Sequence, residues 1–177
     1  MNFSDIALLW VAWVLPFEGE RVVREPNGGY SKWGVWRPNL NAARSVTIEQ
    51  ATALAGEHIA WIERSFPSVV RRYPVQALFL LDLAWNGGYR TATRIAAGDP
   101  AGIDERSWAH YLRLLRRPKY KKYDAGWRLR RSLISSLAVR AQEIDVAATI
   151  VKASKASDLM GLLVPWTVTL DRPPLTP

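Results

Sequence analysis

Glu18 is the residue of this sequence whose surroundings best suit acid catalysis. It follows Pro16 and a strongly apolar stretch over residues 6–17, so its carboxyl group is expected where the chain leaves a hydrophobic core. Desolvation disfavours the charged form of a carboxyl group and raises its pKa, which suits a general acid working near neutral pH. A solvated glutamate at a helix end has the same local sequence, so this residue alone leaves both interpretations open.

The residue inventory argues against several other kinds of site. The chain has no cysteine, which excludes disulfides and thiolate metal sites, and two histidines, His58 and His110, are too few for a multi-histidine centre. A serine hydrolase triad would lack the Gly-x-Ser-x-Gly motif that carries its nucleophile. We therefore expect neither a metal ion nor an organic cofactor.

The charge of the chain favours a polyanionic partner. The formal net charge is +8, and many of the cations fall in a basic segment over residues 113–131. These cations are Arg113, Arg116, Arg117, Lys119, Lys121, Lys122, Arg128, Arg130 and Arg131. Anionic cell-wall polymers, outer-membrane phosphates or nucleic acid could bind there, although a solvated helix face has the same composition. No nucleic-acid fold signature accompanies the segment, so no specific nucleic-acid partner is expected.

The elements that must position Glu18 are a helix and a small sheet. Ser4 is a suitable N-cap for a helix over residues 5–15, which Pro16 would end. Residues 17–41 mix glycines and prolines with short runs of Val, Tyr and Trp, which predicts a small hairpin or irregular sheet. Glu18 should therefore lie at the junction of the two.

Further helices should form the body of the protein. Thr47 and Gln50 fit a capping box, so a helix is predicted to about residue 64. Residues 75–85 are nearly all apolar, which predicts a central buried helix that Asn86, Gly87 and Gly88 stop. Asp82 lies inside that apolar run and is expected to be a buried, paired structural carboxylate.

Two more helices follow in the second half of the chain. They are predicted over residues 105–116, with Asp104 as N-cap, and over residues 127–152. The total is an α+β, mainly α, single domain with a small N-terminal β-hairpin region. We place its boundary at residues 1–155 and treat residues 156–177 as an apolar, proline-rich C-terminal extension.

An ordered set of motifs resembles the phage-type lysozymes and endolysins, closest to glycoside hydrolase family 108, the N-acetylmuramidases related to the phage lysozyme family. The stretch 17–36, FEGERVVREPNGGYSKWGVW, resembles the catalytic segment of that family: Glu-Gly at a helix end, a polar turn, then Thr or Ser, two residues and Gly. Residues 47–51, TIEQA, resemble its helix start, and residues 77–88, ALFLLDLAWNGG, its central helix. Residues 119–130, KYKKYDAGWRLR, resemble its Gly-Trp-x-x-Arg segment.

The resemblance implies a lysozyme-like fold that cleaves peptidoglycan glycan strands, with Glu18 as the acid. Many relatives place an Asp in the turn, where this chain offers Glu25 and Asn27, and Ser31 stands where relatives often have Thr. Glu25, Asn27 and Ser31 are therefore the candidates for the second catalytic role, with Asn27 limited to hydrogen bonding. Glu20 has no counterpart in the pattern.

Substrate binding is expected to involve aromatic and amide side chains near the motif. Sugar rings stack on aromatic faces, and the aromatic candidates are Tyr30, Trp33 and Trp36. The amide candidates are Asn27, which could hydrogen-bond a sugar amide, and, through the resemblance, Asn86. The two central tryptophans, Trp33 and Trp36, could equally belong to the core.

Two other functions fit the same sequence. A lytic transglycosylase would use Glu18 as both acid and base, and a virion-associated structural protein would keep the fold for wall binding or assembly. The apolar segment 159–170 suits self-association or a virion partner in the second case. With neither a signal peptide nor a transmembrane helix in the sequence, we expect the protein in the host cytoplasm before release to the wall, or in the virion.

Overall fold

The computed structural model describes residues 2–26 and 28–140. It is mainly helical with one small antiparallel sheet, which confirms the predicted α+β, mainly α class. The elements in chain order are α1 (Phe3–Glu18), β1 (Val23–Arg24), β2 (Tyr30–Lys32), β3 (Val35–Arg37), α2 (Leu40–Arg44), α3 (Ile48–Ser65), α4 (Pro67–Arg72), α5 (Pro74–Gly87), α6 (Tyr89–Ala96), α7 (Ile103–Leu115) and α8 (Asp124–Arg140), with 3₁₀ turns at Pro100–Gly102 and Pro118–Tyr123.

Helix α1 is longer at both ends than the sequence predicts. Its N-cap is Asn2, whose side chain accepts from the Asp5 amide, whereas the hydroxyl of Ser4 donates to Glu63 at 2.7 Å. Pro16 lies inside the last turn and does not end the helix, which continues for two residues beyond it and closes with the Gly19 amide donating to the Leu15 carbonyl. The chain leaves the helix after Glu18, at Gly19.

The sheet has strand order β1-β2-β3 with antiparallel pairing throughout. Lys32 pairs with Val35, so a two-residue turn of Trp33 and Gly34 joins β2 to β3. Both turn residues have positive φ, 53° and 75°, as the tight turn between twisted strands requires. The predicted hairpin is thus present with a third strand added.

Helix α5 is the centre of the molecule, as predicted. Every residue from Ala77 to Ala84 is buried, and the helix packs against α1, α3, α4, α6, α7 and α8. Gly88, with φ of 77°, caps its C-terminus. The capping box of Thr47 and Gln50 is also confirmed at the start of α3.

The later helices begin earlier than predicted. Helix α7 has Gly102 as its N-cap. Asp104 lies within the first turn, and its backbone amide donates a hydrogen bond to Gln76 Oε1. Helix α8 begins at Asp124 because the preceding 3₁₀ turn leads directly into it. Its predicted end and the boundary near residue 155 lie outside the described residues, as does the segment 159–170.

The short helices α2, α4 and α6 were not predicted. They have five to eight residues each, too few for a helical period to show in the sequence. Within the described part of the chain, no helix is long and apolar enough to cross a membrane.

Candidate active site

Glu18 is the last residue of α1 and faces a partly open region. Gly19 follows with φ of 76°, and its amide donates to the Leu15 carbonyl at 3.1 Å, which closes the helix. The Glu18 side chain is 24% exposed. Its position where the chain leaves the apolar core agrees with the sequence analysis.

Arg130, 112 residues further along the chain, contacts the Glu18 carboxylate. This guanidinium on α8 is 3% exposed, and its Nη1 donates to Glu18 Oε1. Its Nε and Nη2 donate to Asp82 Oδ1 at 2.9 and 2.6 Å. The hydroxyl of Tyr111 donates to Asp82 Oδ2 at 2.9 Å. Asp82 is therefore buried and paired, as predicted, and it shares the cation that contacts Glu18.

Burial of the carboxyl group raises the pKa of Glu18 above its ordinary value. The charge and hydrogen bond of Arg130 act in the opposite direction, and the charges of Asp82 and Glu25 add to the rise. The net pKa is raised although a cation contacts the carboxyl group. The protonated form of Glu18 therefore persists to higher pH than that of a free glutamate. That is the protonation behaviour required of a general acid.

Glu25 lies close enough to Glu18 for its charge to act on that carboxyl group. It is the first residue of the loop between β1 and β2, and its amide donates to the Gly29 carbonyl at 3.1 Å. Ser31, on β2, pairs with Val23, two residues before Glu25, so both side chains are expected on one face of the sheet. The Ser31 hydroxyl donates to Glu25 Oε1.

Tyr123 is the second donor to Glu25, and it was not among the site residues predicted from the sequence. Its hydroxyl donates to Glu25 Oε2 at 2.9 Å from the Pro118–Tyr123 turn, 98 residues along the chain. Tyr123 lies in the segment 119–130 that resembles the family, but the resemblance rests on Gly126, Trp127 and Arg130 and assigns Tyr123 no role, so only the tertiary structure reveals its contact. The residues brought together around the two carboxylates are Glu18, Glu25, Ser31, Asp82, Tyr123 and Arg130.

The predicted sugar-binding residues have different environments. Trp36 is 49% exposed, and its indole Nε1 donates to the Gly28 carbonyl at 2.9 Å, so the ring covers the β1–β2 loop. Trp33 is half-buried against the core, and its amide donates to the Gly19 carbonyl at 2.9 Å. Tyr30 is half-buried on β2.

Asn86 is exposed near the C-terminal end of α5, where its Nδ2 donates to the Asp82 carbonyl at 2.8 Å. The bond joins two residues one turn apart on α5, and the side chain of Asp82, not that of Asn86, contacts Arg130. Asn27 lies outside the described residues. Glu20, which had no counterpart in the motif, is exposed.

The basic segment 113–131 divides into a surface and a buried part. Six of its cations are exposed on α7 and on the connection to α8: Arg113, Arg116, Arg117, Lys119, Lys121 and Lys122. Arg128, also exposed, pairs with Asp124 at 2.7 Å. Arg130 belongs instead to the site, because its side chain is buried between Asp82 and Glu18.

Residues 2–26 and 28–140 contain no group of three or more His, Asp or Glu side chains placed to hold a metal ion. The side chains that meet at the site carry carboxyl, hydroxyl and guanidinium groups. Comparison of the chain with protein-family models, curated proteins and solved structures gives no match.

Proposed function

We propose that this protein is a peptidoglycan hydrolase, a muramidase that cleaves glycosidic bonds of bacterial cell-wall glycan strands. The observation that carries the proposal is the carboxyl pair: Glu18, with a pKa raised by burial, beside Glu25, which accepts a hydrogen bond from Ser31. Glycoside hydrolysis uses two carboxyl groups, one as the acid and one as a charged partner. The phage-lysozyme pattern of the sequence supports the same activity and suggests a role in phage lysis or in the virion.

In this mechanism Glu18 donates its proton to the glycosidic oxygen of the leaving sugar. Arg130, in contact with Glu18, stabilises the carboxylate that remains after the proton has left. Asp82 also pairs with this guanidinium, and the pKa of Glu18 is raised although Arg130 is in contact with it. Arg130 is therefore a positioning residue for the acid.

Glu25 has the second catalytic role in this mechanism. Its carboxylate stabilises the developing oxocarbenium charge or activates a water, and the Ser31 hydroxyl orients that group or the water. A lytic transglycosylase needs no residue to activate water, so the Glu25–Ser31 contact favours hydrolysis over that alternative. A structural protein would need neither carboxyl group.

The test compares Glu18→Gln with Glu20→Gln on purified peptidoglycan. The first amide cannot donate a proton, so release of reducing ends should fall by about 10²- to 10⁴-fold. The control removes an exposed carboxylate two residues away and should keep wild-type activity. Near-normal turnover by Glu18→Gln would contradict the assignment, and anhydro-sugar products in the mass spectrum would identify a transglycosylase instead.

A further inference from the structure

The Pro118–Tyr123 turn contacts the loop that carries Glu25. Tyr123 donates its hydroxyl hydrogen to Glu25 Oε2 at 2.9 Å, and Lys122 Nζ lies 3.4 Å from the Arg24 carbonyl. Both contacts join residues 98 positions apart. The turn thereby ties the helical body to the β1–β2 loop next to the proposed second carboxylate.

The ring of Tyr123 is fixed by packing that does not involve its hydroxyl. It stacks on Trp127, with ring centroids 5.6 Å apart and planes 17° apart. Tyr120 lies beside both rings, with centroids 6.4 and 6.2 Å away. The hydroxyl is thus presented to Glu25 by a preformed aromatic cluster on α8 and the turn.

Resting on the proposed function, we propose that Tyr123 is a positioning residue that orients the Glu25 carboxylate for turnover. Ser31 donates to one carboxylate oxygen and Tyr123 to the other, so the carboxylate plane is fixed at both ends. Each oxygen accepts more than one hydrogen bond, which leaves capacity for a water or a sugar hydroxyl. Tyr123 acts through Glu25 and does not touch the reacting bond.

The phenol remains a donor throughout the working pH range. Burial raises the pKa of Tyr123 well above its ordinary value, and the negative charge of Glu25 raises it further. The hydroxyl therefore stays protonated and offers the same hydrogen bond to the carboxylate at every pH at which the site would operate.

The test uses Tyr123→Phe, which removes the hydroxyl and keeps the ring on Trp127. A hydrogen bond to a charged group is a strong one, so kcat on soluble peptidoglycan fragments should fall about 10- to 100-fold. KM should stay within about twofold, because the lost contact does not bind substrate. Tyr120→Phe is the matched control: its hydroxyl bonds to no described residue, and activity should remain at the wild-type level.

A second measurement separates positioning from a general effect on the fold. In a Glu25→Ala background, adding Tyr123→Phe should leave the residual rate unchanged, because the hydroxyl has lost its only partner among the described residues. A further loss of the same size in that background would overturn the inference. So would a Tyr123→Phe enzyme with wild-type kcat. A wild-type chain that releases no reducing ends would refute the proposed function itself, a result readily distinguished from the other two.

Discussion

The carboxyl group of Glu18 is subject to opposing influences within one small region. Burial at the end of α1 raises its pKa, and the guanidinium of Arg130 lowers it. Asp82 takes two of the hydrogen bonds of that guanidinium, which weakens its hold on Glu18. The net result is a raised pKa for Glu18 beside a cation, so its proton is held to higher pH than in a free glutamate and its ionisation lowers folding stability.

This dependence of folding stability on ionisation gives a prediction for Glu18→Gln. The folded state raises the pKa of Glu18 above its usual value of 4.5, so the folded protein binds this proton more tightly than the unfolded chain does. Folding stability therefore falls as the pH rises from the unfolded pKa through the folded pKa. The amide carries no charge at any pH, so Glu18→Gln should melt at a higher temperature than wild type at pH 7, and the difference should shrink below about pH 4.5. Differential scanning calorimetry across this pH range measures the difference in melting temperature. A variant less stable than wild type at pH 7 would contradict the raised pKa.

The β2–β3 turn is the element that fixes the sheet on the helical body. Gly34 has φ of 75°, and a Cβ placed on it would lie 2.6 Å from Trp85 Nε1. The turn therefore packs directly on an indole of the central helix α5. Trp33, the other turn residue, has φ of 53°, an unusual conformation for a large side chain. The hydrogen bond from its backbone amide to the Gly19 carbonyl joins this turn to the end of α1, next to Glu18.

Gly34→Ala should therefore damage both stability and activity. Positive φ disfavours alanine, and its methyl group would force the turn away from Trp85. The free energy of unfolding should therefore fall by about 2 kcal/mol or more. Ser31, on β2 two residues before the turn, should lose its alignment with Glu25. Gly56→Ala is the control: Gly56 lies inside α3 with open space around it, and this change should stabilise the protein by about 0.5–1 kcal/mol. Urea unfolding measures both variants, and equal stabilities would show that the turn tolerates a side chain.

At the scale of the whole molecule, positive charge is concentrated near the proposed site. No Asp or Glu occurs from residue 106 to residue 123, where six of the exposed cations lie. None of the six pairs with a carboxylate of residues 2–26 or 28–140. The Pro118–Tyr123 turn carries three of them, and it contacts the loop of Glu25. We propose that this surface attracts the anionic polymers that accompany peptidoglycan in the bacterial envelope.

A triple change of Arg116, Arg117 and Lys121 to Gln tests that attraction. Binding to intact cell-wall material should weaken, and its dependence on salt should become less steep, because fewer counterions are released. The melting temperature should change little, since these exposed side chains form no ion pair within the described residues. A matched triple change of Arg64, Arg71 and Arg72 to Gln removes the same charge from α3 and α4. Equal losses by both variants in co-sedimentation would assign the effect to net charge alone.

The sequence by itself determined the features that depend on neighbouring residues. The capping box of Thr47, the buried run of α5 and the tight glycine-containing turns follow from local hydrogen bonding, periodicity and backbone freedom. The exit of the chain from the core at Glu18 followed from the same apolar pattern. Where local signals compete, the sequence was less informative: Pro16 was expected to end α1, yet the last turn tolerates it.

Tertiary structure alone decided which distant groups meet the two carboxylates. Arg130 is 112 residues from Glu18 and ends the Gly-Trp-x-x-Arg motif of the basic segment, but its burial in an ion pair with Glu18 follows only from the packing of α8. Tyr123 lies in the family-like segment 119–130 without a role in its motif, and it donates to Glu25 across 98 residues. Hydrogen bonds of this kind depend on how helices and loops pack, and the packing follows from burial of the whole apolar surface rather than from any local motif.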